Sequence, residues 1–450
     1  MDGSPSTIAK FLVPKIPFIF KTVLFHSLWL SSTSTKWDLR TELTIKIIRE
    51  MLNGQPWSIS KQQKGTLKDP GVKGRMWISR VTMPAPPEDD LRQALFKAID
   101  DMKEGDETYT RPTLEPVEAE WTGYRANVAK DAPEPSISEE EKYQNLMKEV
   151  TSDVTILYFH GGAYYLMDPA SHRQATSRYA HLTGGRACSV RYRLAPQNPF
   201  PAALLDALVS YLSLLYPPPA RSTNPSSPRT SSSPATAQAR ISVPPFSNCS
   251  CNYIAPHPTA LPPKQRTVRL PPPPSKSADV KFPPCPLWPT DPPRTELYCD
   301  GSAMCHPLVS PLAAKSWAGS PPIFVVCGEE MLADEGKVFA QRAARQGVKV
   351  VWEQYEAMPH CFALMLEGLQ GGRMCVASYC KFIRDVVREP ESVKTEGYFV
   401  TAKKLERKPV DVEKLTELTD EEVARLMDEV KKRKILGLEG EGRRSPGCRR

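Results

Sequence analysis

A concentration of proline divides this chain. Pro217 to Pro293 holds 22 of the 46 prolines in 450 residues, and no Asp or Glu occurs from Ala207 through Ala278. Proline has no N–H to give to a helix or a sheet ladder and its ring fixes φ, so a stretch this rich in it cannot be regular strand and helix. By composition alone it is a disordered polar insertion. A packed core must therefore be assembled from the segments on either side.

Both flanks carry strand and helix patterns. Val154 to Phe159 is rich in β-branched and aromatic residues and reads as a buried strand, which runs into His160-Gly161-Gly162-Ala163-Tyr164. Two glycines let the backbone turn so that N–H groups aim at one point. Such donors in a dry site stabilise the oxygen that becomes negative when an ester carbonyl is attacked, a contribution of about 3 to 4 kcal/mol per donor. On these residues alone, a glycine-rich turn with an incidental histidine is an equal reading. Further on come Val190-Arg191-Tyr192-Arg193-Leu194-Ala195-Pro196 and Phe200-Pro201-Ala202-Ala203, the latter opening a helix. Beyond the proline segment, Ile323 to Cys327 reads as a strand and leads to Glu330-Met331-Leu332-Ala333-Asp334-Glu335-Gly336. Val348 to Tyr355 reads as another, ending in Met358-Pro359-His360-Cys361-Phe362.

These stretches, in this order, resemble the hormone-sensitive-lipase branch of the α/β-hydrolases over about residues 118–216 and 291–386. The resemblance implies an α/β fold, with a mostly parallel central sheet flanked by helices and an N-terminal helical cap over the active site. It also implies hydrolysis of carboxylic esters of short to medium acyl length without metal or organic cofactor. The oxyanion hole would be His160, Gly161, Gly162 and Ala163, through the N–H groups of the last three. His360 would be the catalytic histidine, and Glu330 falls where the family has its catalytic Asp.

The chemistry supports these roles independently. A serine hydroxyl is a poor nucleophile unless an imidazole takes its proton, and the imidazole needs a carboxylate to fix its tautomer and stabilise its charged form. His360 and Glu330 each follow a strand pattern at its C-terminal end, where open α/β sheets place their ligands. Glu can replace Asp in this order of triad. Asp334 is the alternative acid, and a merely solvated acidic cluster with Glu329 and Glu335 is the competing reading for Glu330.

The nucleophile is absent. The fold calls for Gly-x-Ser-x-Gly between the Phe200-Pro201-Ala202-Ala203 helix and the acid loop, and the chain has no such pattern. The genetic code accounts for this. When Pro228 to Ser242 is back-translated and each codon is read from the third base of one residue and the first two of the next, the protein dictates all but the first base of every new codon. The dictated bases permit Glu-Asn-Ile-Val-Leu-Ser-Gly-Asp-Ser-Ala-Gly-Ala-Asn-Leu, a strand running into a full nucleophile elbow whose serine spans the Thr236 and Ala237 codons. The stretch from about Pro217 to before Leu287 is thus read as out of frame, with no regular strand or helix expected from Pro217 to Pro286 and a gap where the central strand belongs. Ser247 is a poor substitute because Pro244, Pro245 and Cys249 stand where an elbow wants small glycines. Ser302 lacks a preceding strand and reads as a surface turn.

Composition removes one false lead. The net charge is +8, but Arg221, Arg229, Arg240, Lys264, Arg266, Arg269 and Lys276 supply seven of it inside the acid-free segment, so the excess does not argue for nucleic acid. The 11 cysteines show no metal-type spacing, and Cys188 and Cys327 fall on strand patterns as buried thiols. Without a signal peptide, this suggests a cytoplasmic location. Phe11 to Leu30 is apolar but is interrupted by Pro14, Lys15, Pro17, Lys21 and His26, which disfavours a membrane span and leaves a segment that packs on the body or touches lipid peripherally.

The expected organisation is a cap of helices over 1–110, with helical spacing at Thr41–Leu52 and Asp89–Met102, and the first half of the core over 111–216. The irregular segment at 217–290 is followed by the second half of the core at 291–388, where Phe362 to Val387 reads as one long helix. A charged tail at 389–450 holds one amphipathic helix, announced by Thr419-Asp420-Glu421-Glu422 as a capping box and by Val423, Leu426, Met427 and Val430 as its apolar stripe. Two other functions compete with a small-molecule ester hydrolase. One is an inactive ligand binder built on the hydrolase pocket, disfavoured because such receptors tend to keep the serine and lose the histidine. The other is an interaction protein whose Pro271 to Pro274 run docks an SH3 or WW domain.

Overall fold

The computed structural model describes residues 13–31, 33–52, 57–216, 241–242 and 282–442. Its strands form two sheets. The first has the order β1-β2-β4-β3-β5, with β1 Met76–Met83, β2 Val117–Tyr124, β3 Thr155–Phe159, β4 Arg186–Arg191 and β5 Ile241–Ser242. The second has the order β6-β7-β8-β9, with β6 Ile323–Gly328, β7 Val350–Tyr355, β8 Glu396–Val400 and β9 Arg407–Pro409. Pairing is parallel between β3 and β4, β3 and β5, β6 and β7, and β7 and β8, and antiparallel toward the outer strands.

The continuous apolar run of β3 reflects burial on both faces, since all five of its residues are inaccessible. Parallel strands need crossovers, and helices Pro169–Thr183 and Ala333–Arg345 supply them between β3 and β4 and between β6 and β7. The two sheets share one apolar layer, in which Val154, Ile156 and Tyr158 cluster with Phe324, Val351, Val376, Tyr379 and Ile383.

Most of the 217–290 segment, including Ser247, lies outside the described residues. Within it, Ile241–Ser242 departs from the expectation of no strand: these two residues pair with Thr155 and Ile156 beside β3, in the place of a central strand. The body of the fold also begins before residue 111. Met76–Met83 is a full strand of the first sheet, and helix Asp90–Asp101 buries Leu95, Phe96 and Ile99 in the core with Trp121 and Phe159. Residues 1–110 are therefore not a cap alone, because the alternation in β1 matches one face of a sheet rather than a helix. Helix Leu39–Leu52 lies where helical spacing places it.

Phe362 to Val387 is likewise two helices, Phe362–Met365 and Gln370–Arg388, with a break that ends before Gly371 and Gly372. The tail helix Asp420–Gly442 starts at the expected box, where Glu422 N–H donates to Thr419 Oγ1 at 3.2 Å and Thr419 N–H donates to Glu422 Oε2 at 3.3 Å. Val423, Leu426 and Met427 enter the core of the second half while Val430 enters that of the first.

Candidate active site

The turn after β3 is held from several sides. Gly162 has φ +115°, and a Cβ there would lie 2.2 Å from the Leu166 carbonyl oxygen, so only glycine fits. Ala163, Tyr164 and Met167 also have positive φ, at 51°, 63° and 71°. Such a run costs free energy in each residue and persists only when its surroundings over-determine it.

Those surroundings come from the Arg191-Tyr192-Arg193 stretch at the end of β4. Arg191 Nε donates to Asp168 Oδ2 at 2.6 Å, and Asp168 in turn caps helix Pro169–Thr183 through Ala170 N–H. Tyr192 hydroxyl donates to the His160 carbonyl oxygen at 2.7 Å and its ring stacks on the His160 imidazole at 4.3 Å. Arg193 pairs with the buried Asp206 at 2.7 Å, and Ala195 N–H donates to the Tyr164 carbonyl at 2.9 Å. The second sequence stretch is thus the clamp of the first. Sequence reasoning gave Asp168, Tyr192 and Asp206 no role, although an Asp inside the apolar helix Ala202–Leu215 was a signal that a buried cation pairs with it.

His160 itself is buried. Burial, followed by the neighbouring His172, pushes its imidazole pKa down to about 3, so the ring is neutral. Its Nδ1 lies 2.8 Å from the Gly161 carbonyl oxygen, and because a carbonyl only accepts, that nitrogen carries the proton. This bond fixes the Gly161–Gly162 peptide. Among the described residues none accepts a hydrogen bond from the N–H groups of Gly161, Gly162 or Ala163.

The second constellation lies at the ends of the adjacent parallel strands β6 and β7. A Cβ on Gly328 would sit 2.0 Å from the Met358 carbonyl oxygen, so the two loops touch through backbone. Glu329 Oε2 accepts from Ala357 N–H at 2.9 Å and Glu330 Oε1 from Gly328 N–H at 3.2 Å. In this frame His360 Nδ1 lies 2.5 Å from Glu330 Oε2. Asp334 instead faces Lys337 at 3.3 Å on its own helix.

Burial pulls the His360 pKa down, but side-chain hydrogen bonds with Cys361 and Glu330 outweigh it and raise the value well above the imidazole range. Cys361, a neighbour that sequence reasoning did not single out, has φ 56°, a conformation that favours glycine. A cleft of about 250 Å³ is bounded by Met167, Ser171 and His172 on one side and Leu364, Met365 and Glu367 on the other, and neither the glycine turn nor His360 and Glu330 line it. Ser302 lies elsewhere: its hydroxyl donates to Asp300 at 2.8 Å and accepts from Thr108 N–H at 2.9 Å. Cys188 and Cys327 are buried, as their strand positions implied.

A sequence profile described as alpha/beta hydrolase fold matches residues 156–228 and 271–364. An acetyl-hydrolase of Streptomyces hygroscopicus is 30% identical over 251 residues, covering 52% of this chain and 77% of that protein. Lipase 2 of Moraxella sp. (strain TA144) is 26% identical over 261 residues, covering 51% of this chain and 59% of the relative. A solved hormone-sensitive lipase from a metagenome library superposes with a TM-score of 0.43 at 20% identity, covering 78% of this chain and 99% of that one. With the clamped glycine turn after β3 and the paired acid and histidine loops after β6 and β7, this chain belongs to the α/β-hydrolase fold family.

Proposed function

We propose that this chain derives from a carboxylic-ester hydrolase that works through an acyl-enzyme, and that its own sequence lacks the attacking serine. The observation that carries the reading is the His360–Glu330 pair, 2.5 Å apart at the ends of neighbouring parallel strands. Glu330 occupies Nδ1, which leaves Nε2 to exchange protons with substrate. The N–H groups of Gly161, Gly162 and Ala163, with no acceptor among the described residues, serve as the oxyanion hole.

In the repaired enzyme the serine oxygen adds to the ester carbonyl while its proton passes to His360. The alcohol then departs with that proton, and water repeats the sequence to release the acid. The side-chain contacts that raise the His360 pKa work against a base, which must be neutral to accept a proton, so turnover is expected to climb as pH rises.

The profile match is interrupted between residues 228 and 271, across the place of the elbow, which supports a lost elbow there; its extension over 217–228 and 271–286 narrows the interruption relative to the stretch read as out of frame. An acyl group of short to medium length is the favoured substrate, in keeping with the acetyl-hydrolase relative. The helices of the first hundred residues would contribute the pocket's cover. The test is hydrolysis of a short-chain nitrophenyl ester. The chain as written should show negligible turnover, because loss of a triad serine costs on the order of a millionfold. Restoring the shifted frame should return activity, and His360→Ala should abolish it again. Ordinary turnover by the unrepaired chain, with an organophosphate adduct on one of its serines, would refute the reading.

A further inference from the structure

The helix Ile16–Ser27 turns much of its apolar surface outward. Its buried position is polar, Thr22 at 3% exposed, and His26 Nδ1 meets the fully buried Glu42 at 2.6 Å, while Phe18, Ile19 and Val23 are half-buried. Its outward stripe at i, i+4 and i+8 is Ile16, Phe20 and Leu24, exposed to 57%, 67% and 43%. Val13, Phe25, Leu28, Trp29 and Leu30 extend the same open apolar surface. A helix of a water-soluble fold places its apolar stripe against the core. Contiguous exposure on this scale marks an interaction surface.

The polar face anchors the helix. Glu42 also takes Lys46 at 2.5 Å and the Ser31 hydroxyl, and although burial opposes it, these partners with His26 hold its carboxyl down to about 2. Just beyond, Lys36 pairs with Glu356 at 2.9 Å and with Glu329 at 3.6 Å, while Trp37 packs with Met358 and Phe362. The segment is therefore fixed to the loop that carries His360. Lys403, whose ammonium donates to the Ser34 carbonyl, lies 5.1 Å from the centre of the Trp29 ring.

Charge selects the occupant. From Gly3 through Trp37 there is no Asp or Glu, while Lys10, Lys15, Lys21 and Lys36 fall within the same stretch. An apolar stripe with a basic margin and a tryptophan at its end is the pattern of a helix lying in the plane of a lipid interface. It does not span: among the described residues no helix is long and apolar enough to cross a membrane. We propose that the outward face of Ile16–Ser27, with Val13 and Leu28 to Leu30, docks the protein onto a bilayer surface bearing anionic headgroups.

The experiment is co-sedimentation of the full chain with phosphatidylcholine vesicles, with and without phosphatidylserine. It does not read turnover, so it stands or falls apart from the ester-hydrolase proposal. The parent chain should partition onto the mixed vesicles. Combined Ile16→Glu, Phe20→Glu and Leu24→Glu should reduce partition at least about tenfold, with far-UV circular dichroism and thermal unfolding as in the parent. Lys15→Gln with Lys21→Gln should weaken it about fivefold per lysine on the anionic vesicles only.

Failure of the parent to bind, or binding that survives the triple substitution, overturns the proposal. So does light scattering that shows a parent dimer which the triple variant dissolves without vesicle binding, since a second copy would then own the face. Binding gained only after residues 1–12 are removed would assign it to the chain's own N-terminus and overturn it equally.

Discussion

Replacing Glu330 by Gln tests the acid–histidine pair most directly, because the amide keeps the size and one acceptor oxygen while removing the charge. In the folded chain His360 is half-buried, which alone would favour the neutral ring, yet its hydrogen bonds with Cys361 and Glu330 raise its pKa from about 6.5 to about 11. The sign follows from linkage. Below about pH 6.5 both folded and unfolded chains carry the proton, and the pair's contribution is fully present. Above that the unfolded chain releases its proton while the folded one retains it, so stability falls progressively as pH rises toward the folded value.

Breaking a buried ion pair from one side costs about 3 kcal/mol or more, since the other charge is left uncompensated. Glu330→Gln should therefore destabilise by about 3 kcal/mol at pH 6 in urea unfolding followed by tryptophan fluorescence. The difference from the parent should shrink as pH rises through the alkaline range. In parallel, the His360 ring-proton titration observed by NMR should move to lower pH in the variant. A titration that does not move, together with an equal stability loss at pH 6 and pH 10, would show that Glu330 is not the ring's charge partner and would refute the reasoning.

Asp334→Asn should leave the same titration unchanged and shift stability by less than about 0.5 kcal/mol, as expected for a surface pair within one helix; a displaced His360 titration would restore Asp334 as the acid. Tyr192→Phe keeps the ring stacked on His160 but strips the His160 carbonyl of a buried donor, and should cost about 1 to 3 kcal/mol in urea unfolding. No measurable change would mean that the hydroxyl does not clamp the turn. Gly162→Ala forces a Cβ against the Leu166 carbonyl at a φ that L-residues avoid, and should cost more than about 1 kcal/mol in thermal unfolding; a neutral result would place the turn in another conformation.

Much of this architecture was legible because β3, β6 and β7 are buried on both faces, which leaves continuous apolar runs that end at recognisable loops. The choice of Glu330 over Asp334 came from aligning the acid loop on Gly336; in the structure Glu330 meets His360, while Asp334, in the first turn of helix Ala333–Arg345, faces Lys337. What sequence reasoning missed was of two kinds. β1 carries Arg80 and Thr82 on its open side, and its role as an outer strand depends on antiparallel pairing with β2, in which Met76 meets Tyr124, 48 residues downstream, a contact that no local pattern announces. The clamp formed by Arg191, Tyr192 and Arg193 rests on partners at Asp168, His160 and Asp206, and ion pairs between separate segments leave no period in a sequence.

The tail helix Asp420–Gly442 contributes to both halves of the body, with Val423, Leu426 and Met427 in one core cluster, Val430 in the other, and Arg342 and Glu296 paired to its Asp420 and Lys434. During synthesis, earlier segments ordinarily fold as they emerge. Here neither half completes its apolar interior until this helix has been made. A chain cut short just upstream of Thr419 would leave apolar surface open on two fronts at once, so such a truncation is expected to be far more damaging than the polar character of the tail suggests.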